Sequence, residues 1–272
     1  MPSDAPNGKG GSLVAVLNEH GTSRLILVCE HASNYIPAAY ARLGLEPADL
    51  KRHIAWDIGA LVLAQHLSVR LDAALVYATH SRLLLDLNRD PSASDSIVEV
   101  SEETIIPGNC GLSAEQRLHR RQWLYDPFHR ELDRILDRRV RTDKPTALLS
   151  VHSFTPHYLR NERPWHAGVV SGLDRRLADP MLARLRQESG LHIGDNQPYA
   201  ATDGVFHTLQ RHAEARGLPS VLLEVRNDQI AHAPGRAEWL ERLVTALKPA
   251  LDDALPAPLA APGARSVGNQ SA

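Results

Sequence analysis

The sequence has little of what marks secreted, membrane-spanning or nucleic-acid-binding proteins. Its 272 residues include two cysteines, Cys29 and Cys110, which are too few for a disulfide framework. No apolar run approaches the roughly 20 residues that a membrane-spanning helix requires, and the first dozen residues lack the apolar core of a secretory signal. The formal net charge is −2 and no basic stretch is present, so nucleic acid is not an expected partner. We therefore expect a cytoplasmic protein that binds neither membranes nor nucleic acid.

Composition divides the chain into a long central region and two tails. Residues 1–12 are rich in Gly, Pro, Ser and Asp, and residues 256–272 are similarly poor in large apolar side chains. We predict that both tails are disordered, because such segments cannot bury enough apolar surface to offset the entropy of ordering. The region 13–255 contains no internal repeat and no linker, so we predict a single domain there.

Short apolar runs alternate with longer segments of helical periodicity along this region. The apolar runs predict strands at 25–30, 74–79, 147–151, 167–172 and 220–225. The periodic segments predict helices at 48–71, 114–141, 178–189, 203–216 and 236–254, and Pro127 predicts a kink in the second of them. This alternation indicates an α/β fold of three αβα layers, in which a largely parallel mixed sheet is covered on both faces.

Polar residues accompany four of the predicted strands at the end where the strand stops. They are Glu30 to Asn34, His80 to Arg82, His152-Ser153 and, beginning inside the last strand, Glu224 to Asp228. Open α/β sheets bind their ligands outside the carboxyl ends of the strands. The four groups therefore predict one shared site.

His31 and His152 are the strongest metal-binding candidates among the fourteen histidines. Each follows an almost wholly apolar strand and precedes a serine in a loop that ends at a proline. We expect most of the other histidines to be surface or local-contact residues, including His119, His192, His212 and His232. A catalytic zinc ion takes three protein ligands and a water, and two histidines with one carboxylate form a familiar set.

Two acids compete to be the third ligand. Glu30 adjoins His31, but successive residues of a strand point to opposite faces, so the two cannot easily reach one ion. Asp57 begins an apolar helical segment, where a carboxylate is costly to bury without a partner or a metal. A helix N-terminus also favours an acid for purely structural reasons. We favour Asp57 and leave Glu30 open.

Glu224 is the candidate general base, because it interrupts a strand that should be buried on both faces. A buried carboxylate either takes up a proton or finds a cation, and it could accept a proton from an attacking water. The alternative is a structural pair with Arg226, which lies on the same face of the strand and would then also stand at the site.

Arginines and their neighbours are the candidates for holding an anionic substrate. The guanidinium fork matches a carboxylate, and Arg89 in the turn Asn88-Arg89-Asp90-Pro91 is the preferred anchor. Arg82, Arg226 and Asn88 are further candidates. His53, His80 and Asn88 are candidates for orienting the metal-binding histidines, which usually need a second partner.

Seven segments in consistent order resemble the N-formylglutamate amidohydrolase family. They are CEHASNYIP (29–37), HIAWDIGA (53–60), THSRLLLDLNRDP (79–91), YDPFHREL (125–132, with Tyr125 and His129), SVHSFTP (150–156), GDNQPY (194–199) and LEVRNDQI (223–230). The likeness runs from about residue 24 to 250 and leaves only the tails outside.

The resemblance implies a fold related to zinc carboxypeptidases and N-acetylmuramoyl-alanine amidases. It implies one zinc ion held by His31, Asp57 and His152, with Glu224 as general acid and base. It also implies hydrolysis of N-formyl-L-glutamate to L-glutamate and formate, a step of histidine degradation. The first motif reads His31-Ala32-Ser33-Asn34, where better-studied members have a histidine-serine-glycine pattern.

Other activities remain open at this stage. The same site could act on another N-acyl amino acid or on a peptidoglycan stem peptide, or the chain could be a non-catalytic metal- or ligand-binding protein. The long irregular segment 92–112 could be a lid over the site or a simple excursion with a short strand.

Overall fold

In the computed structural model, which describes residues 12–255, a seven-stranded mixed sheet forms the centre of the molecule. Its strand order is β1-β3-β2-β6-β11-β9-β10. The strands are β1 (Val14–Leu17), β2 (Leu25–Cys29), β3 (Ala74–Ala78), β6 (Ala147–Phe154), β9 (Ala167–Val170), β10 (Ile193–Asp195) and β11 (Ser220–Arg226). The four central strands β3, β2, β6 and β11 are parallel, whereas β1 and the pair β9 and β10 run the other way. The predicted α/β fold with a largely parallel mixed sheet is confirmed.

Two short hairpins lie outside this sheet and seven α-helices surround it, counted over the described residues. The hairpins are β4 (Val100–Ser101) with β5 (Thr104–Ile105), and β7 (His157–Tyr158) with β8 (Asn161–Glu162). The helices are α1 (Ala60–Leu71), α2 (Ala114–Arg120), α3 (Asp126–Arg141), α4 (Ala178–Leu185), α5 (His207–His212), α6 (Asn227–Ile230) and α7 (Ala233–Ala254). None of these helices is long and apolar enough to cross a membrane.

The sheet separates two apolar cores, because successive side chains of a strand point to opposite faces. In β2, Leu25, Leu27 and Cys29 pack into the core covered by α1, α4 and α7. Ile26 and Val28 pack into the other core, beneath α3 and α5. Helices on both faces and the sheet between them give the three predicted layers.

Three predicted helices are shorter in the structure, and the smallest difference is in α4, which ends at Leu185 rather than at 189. The segment 48–71 is helical in the α form only from Ala60, because Gly59 adopts a left-handed conformation (φ 84°) and a side chain there would meet the carbonyl of Ile230. The segment 203–216 contains only α5, with 3₁₀ turns on either side, since Gly204 (φ 77°) interrupts the helix.

The predicted helix 114–141 is continuous but irregular. A π-helical turn over Arg121–Tyr125 joins α2 to α3, immediately before Pro127. Proline has no backbone N–H, so the regular hydrogen bond of an α-helix cannot form at this point. The predicted tails lie almost wholly outside the described residues, and the boundaries of a single domain over 13–255 stay a prediction.

Candidate metal centre and active-site cavity

A cavity of about 260 Å³ opens at the carboxyl ends of the central strands. This volume is below the roughly 300–1,000 Å³ that suits drug-sized ligands, so it fits a molecule as small as an amino-acid derivative. Its lining combines acids, histidines and arginines with a few apolar and aromatic side chains: His31, His53, Asp57, Arg82, Asp86, Asn88, Arg89, His152, Ser153, Tyr158, Arg163, Tyr199, Leu222 and Glu224 are among them. The predicted position of the site at this edge of the sheet agrees with the structure.

Three buried side chains converge at one end of the cavity. His31, Asp57 and His152 each offer an atom within 4.8 Å of the other two. Asp57 Oδ2 lies 2.8 Å from His152 Nδ1 and 3.4 Å from His31 Nδ1. The Nδ1 atom of His31 is buried and has no hydrogen-bond partner among residues 12–255. A divalent cation fits this donor set, since it would engage that orphaned nitrogen together with a second imidazole and a carboxylate.

The backbone fixes each member of this cluster. His31 follows β2 by two residues, whereas His152 lies inside β6, which continues to Phe154 rather than ending at 151 as predicted. The strand continues because its polar residues find partners, as Ser153 Oγ does when it donates to the carbonyl of Ile58 (2.9 Å). Asp57 precedes α1 and is held by its own N–H, which donates to the carbonyl of His31 (2.9 Å).

Two further carboxylates contact the Nε2 atoms of these two histidines. Asp86 Oδ1 is 2.7 Å from His31 Nε2, and Glu30 Oε2 is 3.2 Å from His152 Nε2. Glu30 also accepts a hydrogen bond from Ser150 Oγ (2.7 Å). Carboxylates in this position set the tautomer and orientation of metal-binding imidazoles. Of the two competing acids, the structure therefore places Asp57 in the cluster and Glu30 behind His152.

The charges of these groups favour a cation. Burial alone would raise the pKa of Glu30, but His152 and the Ser150 hydroxyl lower it to about 2. Burial likewise opposes ionisation of Asp57 and Asp86, yet neighbouring His31 and, for Asp86, Arg82 hold both pKa values low. Three ionised carboxylates thus surround two imidazoles.

Glu224 faces the same cavity from β11. Its strand pairs it with His152 on one side and with Gly168 on the other. The side chain is buried, and its Oε2 atom has no hydrogen-bond partner in the described part of the chain. Burial raises the pKa of Glu224 to about 7, against the attraction of His152. A carboxyl group of this kind can both accept and release a proton near neutral pH.

The arginines fall into two groups. Arg82 contacts Asp86 Oδ2 (2.5 Å) and lies 3.7 Å from Asp57 Oδ1, so it stands beside the histidine cluster. Arg89 also lines the cavity, but it is held by Asp95 and by the carbonyls of Asn88 and Gly204.

Arg226 and Asn88 are engaged elsewhere. Arg226 is absent from the cavity wall, since it pairs with Asp228 (2.9 Å) and reaches backbone carbonyls instead. Asn88 lines the cavity, but its amide donates to the carbonyl of Val205 and accepts from the N–H of Thr208. The structure thus brings Arg82 and Arg89 to the site and leaves Arg226 outside it.

Comparison with known proteins adds to this geometry. The family model for N-formylglutamate amidohydrolase matches residues 23–231. The chain belongs to the N-formylglutamate amidohydrolase family. The crystal structure of a gene product from Agrobacterium tumefaciens is 40% identical, covers 89% of this chain and 96% of its own, and superposes with a TM-score of 0.87. N-formylglutamate amidohydrolase from Ralstonia eutropha, at 20% identity, covers 88% and 97% with a TM-score of 0.66, and shows the same fold. No curated protein matches the chain.

The two histidines that were predicted to orient the metal-binding pair, His53 and His80, do not contact it. His53 lines the cavity, but its Nε2 faces Glu102 (3.4 Å) and not the cluster. His80 lies away from the cavity wall, bonded to Thr79 and packed against Tyr35 and Trp123. The orienting groups are the carboxylates Asp86 and Glu30 instead.

The segment 92–112 forms one wall of the cavity. It contributes Asp95, Val98 and Ser101 to the lining and contains the hairpin of β4 and β5. Glu102 ties it to Arg52 (2.8 Å). The segment thus contains short strands, as the alternative of a simple excursion required, and movement of the segment as a lid stays a prediction.

Several residues of the site were missed by sequence reasoning. Asp86 interrupts the apolar run Leu83-Leu84-Leu85, which is the same signal that singled out Glu224, and it could have been found in that way. Arg163, Tyr158 and Tyr199 carry no such signal, because none of them interrupts an apolar run and the two-residue strand β7, which holds Tyr158, is too short to show a periodicity. His212, expected to be a surface or local-contact residue, is fully buried against His129.

Proposed function

We propose that this protein is a zinc-dependent amidohydrolase that converts N-formyl-L-glutamate and water to L-glutamate and formate. One observation carries the proposal: the unpartnered, buried carboxyl oxygen of Glu224 shares a small cavity with the cluster of His31, Asp57 and His152. A base without a structural partner beside a cation-binding set is the arrangement that amide hydrolysis needs. Membership of the family supports the same reaction.

The metal would be held by His31, Asp57 and His152. When bound, zinc supplies Lewis acidity and lowers the pKa of water. Asp86 and Glu30 keep the two imidazoles in place through their outer nitrogens. These contacts fix the ring orientations before substrate arrives, so little reorganisation is needed during the reaction.

Glu224 would move the protons. It accepts one proton from the attacking water as the oxygen bonds to the formyl carbon, and later gives a proton to the amide nitrogen. The carbon–nitrogen bond then breaks, which releases the amino group of glutamate and leaves formate. A pKa near 7 suits this double task, because the group is neither too weak a base nor too weak an acid at neutral pH.

The test is formate release by protein depleted of metal and then reloaded with one equivalent of zinc. We expect equal amounts of formate and L-glutamate from the zinc protein and neither product from the depleted protein. N-acetyl-L-glutamate and N-formyl-L-leucine, assayed in parallel, test the acyl group and the amino acid separately.

Three outcomes would contradict the proposal. Cleavage of N-acetyl-L-glutamate in preference to the formyl compound would show that the acyl group of the substrate is not formyl. Full activity without metal would remove zinc from the reaction. Zinc bound at one equivalent with no cleavage of any N-acyl amino acid would favour a binding protein with the same fold.

A further inference from the structure

Three arginines of the described chain line the cavity, and their charges are not equally balanced. Arg82 is paired with Asp86, and Arg89 is paired with Asp95. The guanidinium of Arg163 makes no ion pair with any carboxylate in residues 12–255. It is the cavity arginine that this part of the chain leaves without an anionic partner.

Aromatic side chains hold Arg163 in place. Its guanidinium carbon lies 4.6 Å from the ring centre of Tyr158, 4.8 Å from that of Tyr199 and 5.9 Å from that of Phe154. Its Nη1 donates to the Tyr199 hydroxyl (2.9 Å). Cation–π contacts of this kind stabilise the charge without neutralising it. The remaining N–H groups of the fork are therefore available to a carboxylate from solution.

The backbone next to Arg163 is also fixed. Arg163 follows β8 and its own N–H donates to the carbonyl of Pro156 (2.8 Å), which closes the hairpin of β7 and β8. On the opposite side, Gly168 allows the loop that carries Tyr199 to approach, because a Cβ at Gly168 would overlap the carbonyl oxygen of Gln197. The cation is thus positioned before a ligand binds, which reduces the entropy cost of binding.

We propose that Arg163 binds the side-chain carboxylate of the substrate and makes the site selective for N-acyl derivatives of acidic amino acids. This assignment rests on the proposed function. Arg82 stands beside Asp57 and Asp86, next to the reacting centre, and suits the carboxylate nearest the amide. Arg163 contacts aromatic side chains and no member of the metal cluster, which suits the far end of the substrate.

Binding of the two product-like amino acids L-glutamate and L-glutamine, followed by isothermal titration calorimetry on the zinc-loaded protein, tests this assignment without turnover. We expect the wild type to bind L-glutamate at least about tenfold more tightly, since charge-assisted hydrogen bonds discriminate strongly. In Arg163→Met, which keeps the bulk against the three rings, affinity for L-glutamate should fall to that for L-glutamine. Arg163→Lys should retain part of the preference.

Arg160→Met is the matched control, because Arg160 lies in the same hairpin but is exposed and outside the cavity wall. It should bind both amino acids as the wild type does, and circular dichroism should show that all three variants are folded. A preference for L-glutamate that survives in Arg163→Met, or equal affinities in the wild type, would overturn the assignment. If the preference depends on Arg163 but no formate is released from formylglutamate, the proposed reaction fails and the carboxylate site stands.

Discussion

Two pairs of buried histidines in the described chain have similar ring separations but differ in what surrounds them. The rings of His31 and His152 meet edge to face, with centres 4.7 Å apart, whereas those of His129 and His212 are stacked, with centres 5.0 Å apart. Carboxylates contact the first pair on several sides, and one nitrogen of each ring, His31 Nδ1 and His152 Nε2, has no hydrogen-bond partner in the described chain.

The second pair is fully engaged. His129 Nε2 donates to the carbonyl of Leu87 (2.9 Å), its Nδ1 is 2.7 Å from His212 Nε2, and His212 Nδ1 is 3.0 Å from Asp133. Burial lowers the pKa of His129 well below its usual value and that of His212 to about 4. In contrast, Glu30 and Asp57 outweigh burial and raise the pKa of His152. The number of nearby carboxylates, more than burial itself, separates a candidate metal site from a structural contact.

The largest expected effect comes from removing a metal-binding histidine. His31→Ala or His152→Ala should abolish stoichiometric zinc binding and lower formate release by roughly a thousandfold or more, because the ion loses one of three protein ligands. Zinc content after dialysis and initial rates measure the two effects. His212→Gln is the matched change in the second pair and should keep its zinc. Loss of zinc from that variant as well would break the comparison.

Glu224→Gln should separate chemistry from metal binding. The amide is nearly isosteric with the carboxyl group but cannot carry the proton, so we expect kcat to fall by about 100- to 10,000-fold. Zinc content should stay at the wild-type level, since Glu224 lies outside the metal cluster. A variant that loses its zinc would instead identify Glu224 as a ligand.

The outer carboxylates should have a smaller effect. Asp86→Asn and Glu30→Gln should each weaken zinc affinity by about 10- to 100-fold, because the imidazoles lose the groups that orient them. Competition with a chelator of known affinity measures this change. Asp133→Asn, the equivalent change beside His212, should leave zinc affinity unchanged. Equal losses in all three variants would indicate general destabilisation.

We expect the pair His129 and His212 to affect the stability of the protein at low pH but not its catalytic activity. An unfolded histidine has a pKa near 6.5, whereas burial lowers the pKa of His129 in the folded chain and keeps it neutral. The contribution of His129 to the free energy of unfolding is therefore complete above about pH 6.5 and is lost as the pH falls below that value. His129→Leu should cost about 1–3 kcal/mol at pH 7.5, since the carbonyl of Leu87 loses its donor. The stability of the variant should then depend less on pH than that of the wild type.

Urea unfolding at pH 7.5 and 5.5 measures both quantities for His129→Leu. His212, His207 and Asp133 lie near His129 and are present in both proteins, so the difference between the two slopes reports the loss of the His129 imidazole together with its effect on His212. Identical slopes would assign the acid sensitivity to other groups.

Much of the fold could be predicted because buried strands and helix faces are apolar in the sequence. The parallel strands are apolar runs, and they begin within a residue of the predicted positions. The prediction of a helix from residue 48 was wrong over its first half, because Gly59 adopts a left-handed conformation and the α-helix begins only after it. The carbonyl of Ile230, which lies far along the chain, leaves no room for a side chain at this position.

The candidate site was predictable where polar residues interrupt or follow apolar runs of the sequence. His31, His152 and Glu224 follow that rule, and Asp86 would have followed it too. Arg163 could not be found in this way, because it is distinguished by the absence of a carboxylate partner and by contacts with three rings from two separate parts of the described chain. Pairing of charges across the fold leaves no local pattern in the sequence.

The hairpin of β7 and β8 has a consequence for how this enzyme family can diversify. The candidate metal ligands and base lie in or beside the central strands, and their side chains are buried. Arg163 is instead attached to a two-stranded excursion whose residues are exposed. Under the role proposed for Arg163, substitutions there would alter which amino acid is accepted without changing the reacting centre. The reaction can therefore be kept while the range of substrates changes, because the two depend on different parts of the chain.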